Sequence, residues 1–82
     1  MTNQELIDAY IAECGRVNGQ EYGEMVRLDY SPYGGWFYLR NPWKTGPEHY
    51  TVGGRPEALR KKKLEAMLDT MRARPTKDSD NA

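Results

Sequence analysis

Arginine and aromatic side chains alternate along one short segment of the chain. Trp36, Tyr38 and Arg40 occupy every second position of it, and Arg27 belongs to an earlier alternating segment. A guanidinium group can bind a phosphate or a carboxylate through two parallel hydrogen bonds, and an aromatic ring can stack on a base or fill a pocket in a protein. This pattern favours a recognition surface, either for phosphates and bases or for an acidic groove of another protein.

A second basic cluster, Arg60 to Lys63, opens the predicted C-terminal helix. Four consecutive bases encircle a helix, so at most two of them can touch one partner. The alternative role of this cluster is a solvated helix face whose lysine stems cover the sheet edge. Trp43 and Lys44, on a predicted turn, complete the candidate set. The candidate binding residues are Arg27, Trp36, Tyr38, Arg40, Trp43, Lys44, Arg60, Lys61, Lys62 and Lys63.

Residues that could carry catalysis or bind a metal are few. The chain has a single cysteine, Cys14, and a single histidine, His49, whereas a structural zinc needs about three or four such ligands. Cys14 lies on an apolar helical stripe, where a small buried side chain is the expected role. His49 has no nucleophile motif or glycine-rich phosphate loop beside it. We therefore expect no enzyme, no cofactor and no metal.

The length of 82 residues bounds what the chain can form. We expect one domain over residues 1–75 and a disordered polar tail over residues 76–82. The formal net charge is zero, but residues 1–24 are mostly acidic and residues 56–77 mostly basic, which predicts an acidic side and a basic side. No apolar run approaches the roughly 18 residues of a membrane span, and the start lacks a secretory pattern. We therefore expect a cytoplasmic protein without membrane contact.

Hydrophobic spacing and turn residues predict the order of the elements. Thr2 and Glu5 form a capping-box pattern at the first helix, and Gly15 offers a C-cap. Pro56 suits the first position of a second helix, which Pro75 ends. The predicted apolar stripe of this helix is Leu64, Met67, Leu68 and Met71. The predicted elements are a helix over residues 3–14, a loop over 15–23, strands over 25–30, 36–40 and 48–52, and a helix over 56–74.

The turn between the first two strands predicts how they pair. A turn of four residues, 32–35, sets Tyr30 opposite Phe37 and Leu28 opposite Leu39, so that all apolar partners share one face. A turn of five residues would shift every pair by one position and set apolar residues beside charged ones. The four-residue turn is therefore the predicted one.

The predicted fold class is α+β: a helix, a three-stranded antiparallel sheet and a helix, with both helices on one sheet face. The other face stays in water and sets Arg27 opposite Arg40, a like-charge pair that Asp29, diagonal to Arg40, could neutralise. In the alternative interpretation, the two arginines and the neighbouring rings form the recognition surface. The residues predicted on this solvent-facing side are Arg27, Asp29, Trp36, Tyr38, Arg40, His49 and Thr51.

One stretch of the sequence combines two predicted strands and a helix in a characteristic order. An aromatic strand ends in a basic residue, which Asn and Pro follow. A Thr-Gly turn then leads to a strand that ends near glycine, and a helix follows. The residues of this pattern are Trp36, Tyr38, Arg40, Asn41, Pro42, Thr45, Gly46 and Gly53. With its surroundings, residues 25–68, the pattern resembles the arm-type DNA-binding domain of phage tyrosine integrases. The resemblance implies that the sheet enters the DNA major groove with Trp36, Tyr38 and Arg40 at or near the DNA. Lys44 would take the same role from the adjoining turn.

The order helix, three strands, helix is also similar to that of the double-stranded-RNA-binding domain. In that family, lysines at the start of the second helix contact phosphates, a role that would fall here to Lys61, Lys62 and Lys63. The sequence leaves two functions open. One is a small accessory or regulatory protein that binds nucleic acid, DNA rather than RNA. The other is a small phage-type inhibitor or modulator that binds a host protein through the same face.

Overall fold

The computed structural model describes residues 1–47 and 49–76. Its helices and its antiparallel sheet form a small α+β domain, which confirms the predicted fold class. Residues 77–82, most of the predicted tail, lie outside the described residues. The elements in chain order are α1 (Asn3–Asn18), α2 (Gln20–Met25), β1 (Arg27–Ser31), β2 (Trp36–Arg40), β3 (Trp43–Gly46), β4 (His49–Thr51), β5 (Glu57–Leu59) and α3 (Lys61–Arg72).

The N-terminal part of the chain is a pair of helices that meet at two glycines. The Thr2 hydroxyl accepts a hydrogen bond from the Glu5 amide and the Glu5 carboxylate accepts one from the Thr2 amide, which confirms the predicted capping box. The loop predicted over residues 15–23 is wrong, because α1 continues through Gly15 and α2 follows almost at once. A Cβ on Gly23 would lie 2.7 Å from the Gly15 Cα. Because glycine has no side chain, Gly15 and Gly23 let α1 and α2 pack closely together, where the sequence predicts a loop.

The hairpin of β1 and β2 has the predicted register. Tyr30 pairs with Phe37 and Leu28 pairs with Leu39 across a turn of four residues. The two glycines that end the turn have φ angles of 84° and 71°, a region that other residues seldom adopt. Phe37 and Leu39 are 1% and 2% exposed, so the predicted inner face of the sheet is confirmed.

The third strand of the main sheet is β5, and not the strand predicted over residues 48–52. β5 pairs with β2 and sets Leu59 opposite Phe37, where Leu59 is buried. The helix predicted over residues 56–74 is therefore too long, since α3 begins at Lys61. Burial of a side chain against the sheet outweighs the helical signal of this segment.

Strands β3 and β4 form a separate two-stranded sheet. The Asn41–Pro42 connection cannot form the tight turn with positive φ angles that would fold β3 back onto β2, because proline fixes φ near −65°. The Tyr50 ring of β4 meets the Tyr22 ring of α2 edge-on, with ring centroids 5.7 Å apart. His49 and Thr51, predicted on the solvent-facing side of the main sheet, instead lie exposed in this second sheet.

The hydrophobic core lies between the inner face of the main sheet and the helices α1 and α3. The apolar stripe predicted for α3 is confirmed, with Met67 half-buried at its margin. Cys14 is 1% exposed, and its thiol lies 3.8 Å from the Met71 sulfur, as expected for a small buried side chain. The buried hydrophobic residues that form this core are Leu6, Ile7, Tyr10, Cys14, Val26, Leu28, Phe37, Leu39, Leu59, Leu64, Leu68 and Met71.

Candidate nucleic-acid interface

The face of the main sheet turned away from the helices is called the outer face here. Strand alternation places a tyrosine in its middle, 36% exposed, and charged residues towards one end. At that end a hollow of about 350 Å³ opens between the sheet and the segment that connects β4 to β5. The outer face carries Arg27, Asp29, Trp36, Tyr38 and Arg40. The hollow is lined by Arg27, Asp29, Tyr38, Arg40, Val52 and Pro56.

Two residues that line this hollow, Val52 and Pro56, are not among the candidate binding residues predicted from the sequence. They flank a bend at Gly53 and Gly54, and Gly54 has a φ angle of 75°. The double glycine indicates such a reversal of the chain. The sequence alone predicts only that the strand over residues 48–52 ends there, because the pairing of residues 57–59 with β2 depends on a distant segment.

Arg27 is held in place by the end of α2. Its Nη1 donates hydrogen bonds to the carbonyl oxygens of Glu24, at 2.9 Å, and Val26, at 3.3 Å. These carbonyls lie at a helix C-terminus, where backbone groups lack helical partners and favour a cation. The contact fixes the guanidinium on the rim of the hollow while its remaining N–H groups stay available.

Arg40 lies directly opposite Arg27 across the β1–β2 pair. Among the described residues it makes no hydrogen bond or ion pair, and its side chain is exposed. The neutralising pair between Asp29 and Arg40 that the sequence allowed is not formed within 4.0 Å. The hollow is therefore lined by two arginines from opposite strand positions. The Arg27 guanidinium is anchored by the end of α2, whereas the Arg40 side chain is available to a ligand.

Trp36 and Arg60 occupy the other end of the outer face. The Arg60 guanidinium stacks on the Trp36 ring, 3.7 Å from its centroid, and donates a hydrogen bond to the Gly34 carbonyl. Trp36 is consequently half-buried. Arg60 is the N-cap residue of α3, and its side chain turns towards the sheet. Arg60 therefore belongs to the outer face together with the Trp36 ring.

Trp43 and Lys44, the next two candidates, lie in β3 of the second sheet. Trp43 is 49% exposed. The Lys44 ammonium lies 5.9 Å from the centroid of the Tyr50 ring, within cation–π range. Trp43 and Lys44 follow Arg40 closely in the sequence, but the structure does not place them on the outer face.

The lysine cluster occupies the first turn of α3. The Lys61 ammonium donates a hydrogen bond to the Met1 carbonyl at 3.2 Å, which turns it towards the start of α1. Lys62 and Lys63 are exposed. These lysines and Arg60 form one basic cluster in the sequence, but of the four only Arg60 reaches the outer face in the structure.

A second cavity, of about 290 Å³, lies beside the buried thiol of α1. Burial raises the pKa of the Cys14 thiol to about 11. Burial also raises the pKa of the Tyr10 hydroxyl and that of the Tyr22 hydroxyl. All three groups are therefore neutral near pH 7. The cavity is lined by Tyr10, Cys14, Asn18, Tyr22, Asn41, Met67, Thr70, Met71 and Arg74.

Comparisons with known proteins supply no further information about the site. No family model, no curated protein and no solved structure matches the chain. Within residues 1–47 and 49–76, no group of three or more histidine, cysteine, aspartate or glutamate residues could hold a metal ion. None of the described helices is long and apolar enough to cross a membrane.

Proposed function

We propose that this chain binds double-stranded DNA through its outer face, as a small accessory or regulatory protein and not as an enzyme. The observation that carries the proposal is the pair of arginines, Arg27 and Arg40, that occupy directly opposite positions on β1 and β2 and line the same hollow. Two like charges opposite each other on neighbouring strands are unfavourable by themselves. An anion between them removes that cost, and a phosphate or the acceptor edge of guanine suits the planar donors of Arg40.

The length of β2 supports a duplex as the partner. Arg40 lies four positions after Trp36, which corresponds to about 13 Å along a strand. Arg60 stacks at the Trp36 end, so cationic groups mark both ends of the strand. The major groove of B-form DNA is about 12 Å wide. The strand can therefore reach the phosphates of both groove walls, with the half-exposed Tyr38 between them.

The same geometry favours DNA over RNA. The major groove of A-form RNA is deep and narrow and does not admit a sheet, and proteins contact its wide minor groove mostly through phosphates and hydroxyl groups. Binding to double-stranded RNA would use the lysines at the start of α3 together. Here Lys61 points away to the Met1 carbonyl, so the three lysines do not act as one group. A sheet face with an arginine at each end suits the major groove of B-form DNA.

Fluorescence anisotropy with a labelled duplex tests the proposal. We expect a dissociation constant of about 10⁻⁴ to 10⁻⁶ M or lower for mixed-sequence DNA, with steep weakening between about 50 and 200 mM salt. Arg40→Ala should weaken binding by about tenfold and reduce the salt dependence by roughly one counterion. The exposed Arg40 side chain forms no hydrogen bond or ion pair with a described residue, so we expect this variant to fold as the parent does.

Arg72→Ala is the matched control. Arg72 is an exposed arginine of α3, on the helix side of the sheet, and its loss changes the net charge by the same amount. This variant should bind DNA nearly as the parent protein does. Equal effects of the two variants, or no binding at tens of micromolar protein in about 50 mM salt, would refute the proposal.

Binding to another protein is the second candidate function. It is supported by two aromatic side chains that stay in water, Tyr33 at 87% and Trp43 at 49% exposure, and by the apolar walls that Val52 and Pro56 give to the hollow. Exposed aromatic residues and arginines often anchor protein interfaces. Salt separates the two candidates, since an interface anchored by aromatic residues weakens little where a phosphate-based complex dissociates.

A further inference from the structure

β1 is an open edge of the main sheet. The strand order is β1-β2-β5, so no described strand lies on the other side of β1. The backbone of residues 27–31 forms no hydrogen bond with the backbone of any described residue outside the β1–β2 pair. An edge strand of this kind presents a row of N–H and C=O groups that can pair with another strand.

A groove runs beside this edge, between β1 and α1, with a volume of about 640 Å³. Its lining is mixed. The polar residues of the lining are Asn3, Gln4, Asp8 and Asp29. Ile7 and Leu28 are buried at its floor, Ile11 is partly exposed, and the Tyr30 ring is 37% exposed. A strand added to β1 would cover both the free backbone groups and this apolar surface. The edge is therefore a docking surface with a backbone part and a side-chain part.

The charges along β1 complement a second copy of the same strand. Arg27 and Asp29 flank Leu28, and both point to the outer face, where neither forms an ion pair with a described residue. In an antiparallel pair of two β1 strands centred on Leu28, Arg27 of each copy lies opposite Asp29 of the other. This register keeps apolar residues on the inner face of both copies.

Other registers lack this complementarity. A pair centred on Asp29 sets two carboxylates opposite each other, and a shift by one residue turns the apolar side chains to the opposite face. In the Leu28-centred register, Val26 of one copy lies opposite Tyr30 of the second copy, on the inner face.

We propose that the protein forms a twofold symmetric dimer through antiparallel β1–β1 pairing centred on Leu28, which creates a six-stranded sheet. The twofold axis passes through the pair, as an interface between identical surfaces requires. Arg40, one strand further in, remains uncovered on the outer face of each copy.

Sedimentation equilibrium of the full chain without nucleic acid tests the dimer. We expect a monomer–dimer equilibrium between about 1 and 500 μM protein. Asp29→Arg sets arginines opposite each other and should weaken association at least tenfold, and Arg27→Asp should do the same with carboxylates. An equimolar mixture of the two variants restores both opposite-charge pairs and should form the heterodimer.

Glu65→Arg makes the same change of charge on an exposed position of α3 and should leave association unchanged. Circular dichroism checks that each variant is folded, since Arg27→Asp also loses the contacts to α2. If Arg27→Asp unfolds, Asp29→Arg compared with Glu65→Arg decides the question alone. Two results would overturn the proposal. One is a chain that stays monomeric, as expected if the β1 edge binds a peptide instead of a second copy. The other is a chain that dimerises regardless of these charges. DNA is absent, so this result is independent of the proposed function.

Discussion

At the scale of single residues, the two ends of the outer face hold their arginines by different means. Arg27 is bound by carbonyl oxygens at the end of α2, and Arg60 by the Trp36 ring and the Gly34 carbonyl. Both contacts fix a guanidinium group without neutralising it by a carboxylate. Arg40 has no such contact among the described residues, which makes it the candidate with the most freedom to bind a partner.

The buried thiol gives a prediction at the same scale. The pKa of Cys14 is raised by burial from an ordinary 9.0 to about 11, so the folded state keeps its proton where the unfolded state loses it. The free energy of unfolding should therefore fall as the pH rises from about 9 to about 11, with Tyr10 and Tyr22 acting in the same direction. Denaturant unfolding across this range measures the decline.

Cys14→Ala should make that decline less steep, whatever it does to stability at neutral pH. Native Cys14 should also react with iodoacetamide at about pH 8 more than 100-fold more slowly than in denaturant, because both burial and the raised pKa suppress the thiolate. An identical decline in parent and variant, or rapid alkylation of the folded protein, would contradict the assignment of a buried neutral thiol.

At the scale of elements, the contact of α1 with α2 depends on one glycine more than on the other. A Cβ on Gly23 would meet backbone atoms of Gly15 at 2.7 Å and 2.9 Å, and backbone cannot move aside cheaply. A Cβ on Gly15 would lie 3.8 Å from the Gly23 Cα, an ordinary contact. The two glycines thus form a matched pair for mutation.

We expect Gly23→Ala to lower the free energy of unfolding by about 1–3 kcal/mol through overpacking. Gly15→Ala should leave it unchanged or raise it by up to about 1 kcal/mol, because alanine favours a helix. Urea unfolding of both variants measures the difference. Equal values for the two would mean that the helices do not meet at these glycines.

At the scale of the whole molecule, Arg16 joins the first helix to the end of the last one. Its guanidinium donates hydrogen bonds to the carbonyl oxygens of Met71, at 2.9 Å, and Arg74, at 2.8 Å, and pairs with the Glu13 carboxylate. The Met71 carbonyl also accepts a hydrogen bond from the Arg74 amide at 3.0 Å. The Arg74 carbonyl lies just beyond α3, so Arg16 binds the segment where the helix ends. One side chain connects segments that are far apart in the chain.

Arg16→Ala should therefore cost about 1–3 kcal/mol of stability and increase amide hydrogen exchange in the last turn of α3. Arg72→Ala serves again as the control, since its ion pair with Asp69 is exposed and 3.8 Å long and should contribute less than about 1 kcal/mol. Unchanged exchange at the end of α3 in Arg16→Ala would show that α3 does not depend on this contact.

The amino-acid sequence by itself determined the features that depend on near neighbours. The capping box of Thr2 and Glu5, the register that pairs Leu28 with Leu39, and the apolar stripe of α3 all followed from residue types at short spacings. Each depends on the chemistry of a turn, a cap or a single periodicity, which acts within a few residues of the chain. The placement of Tyr38 and Arg40 on one exposed face followed from the same alternation.

Only the tertiary structure decided which distant segments meet. Residues 57–59 became a strand because Leu59 is buried opposite Phe37, and α1 continued through Gly15 because α2 packs closely there. The hollow beside Arg40 depends on the return of the chain after β4. Local propensities differ by about 1 kcal/mol or less, whereas burial of one large apolar side chain contributes about 1.5–3 kcal/mol, so long-range packing overrides the local signal.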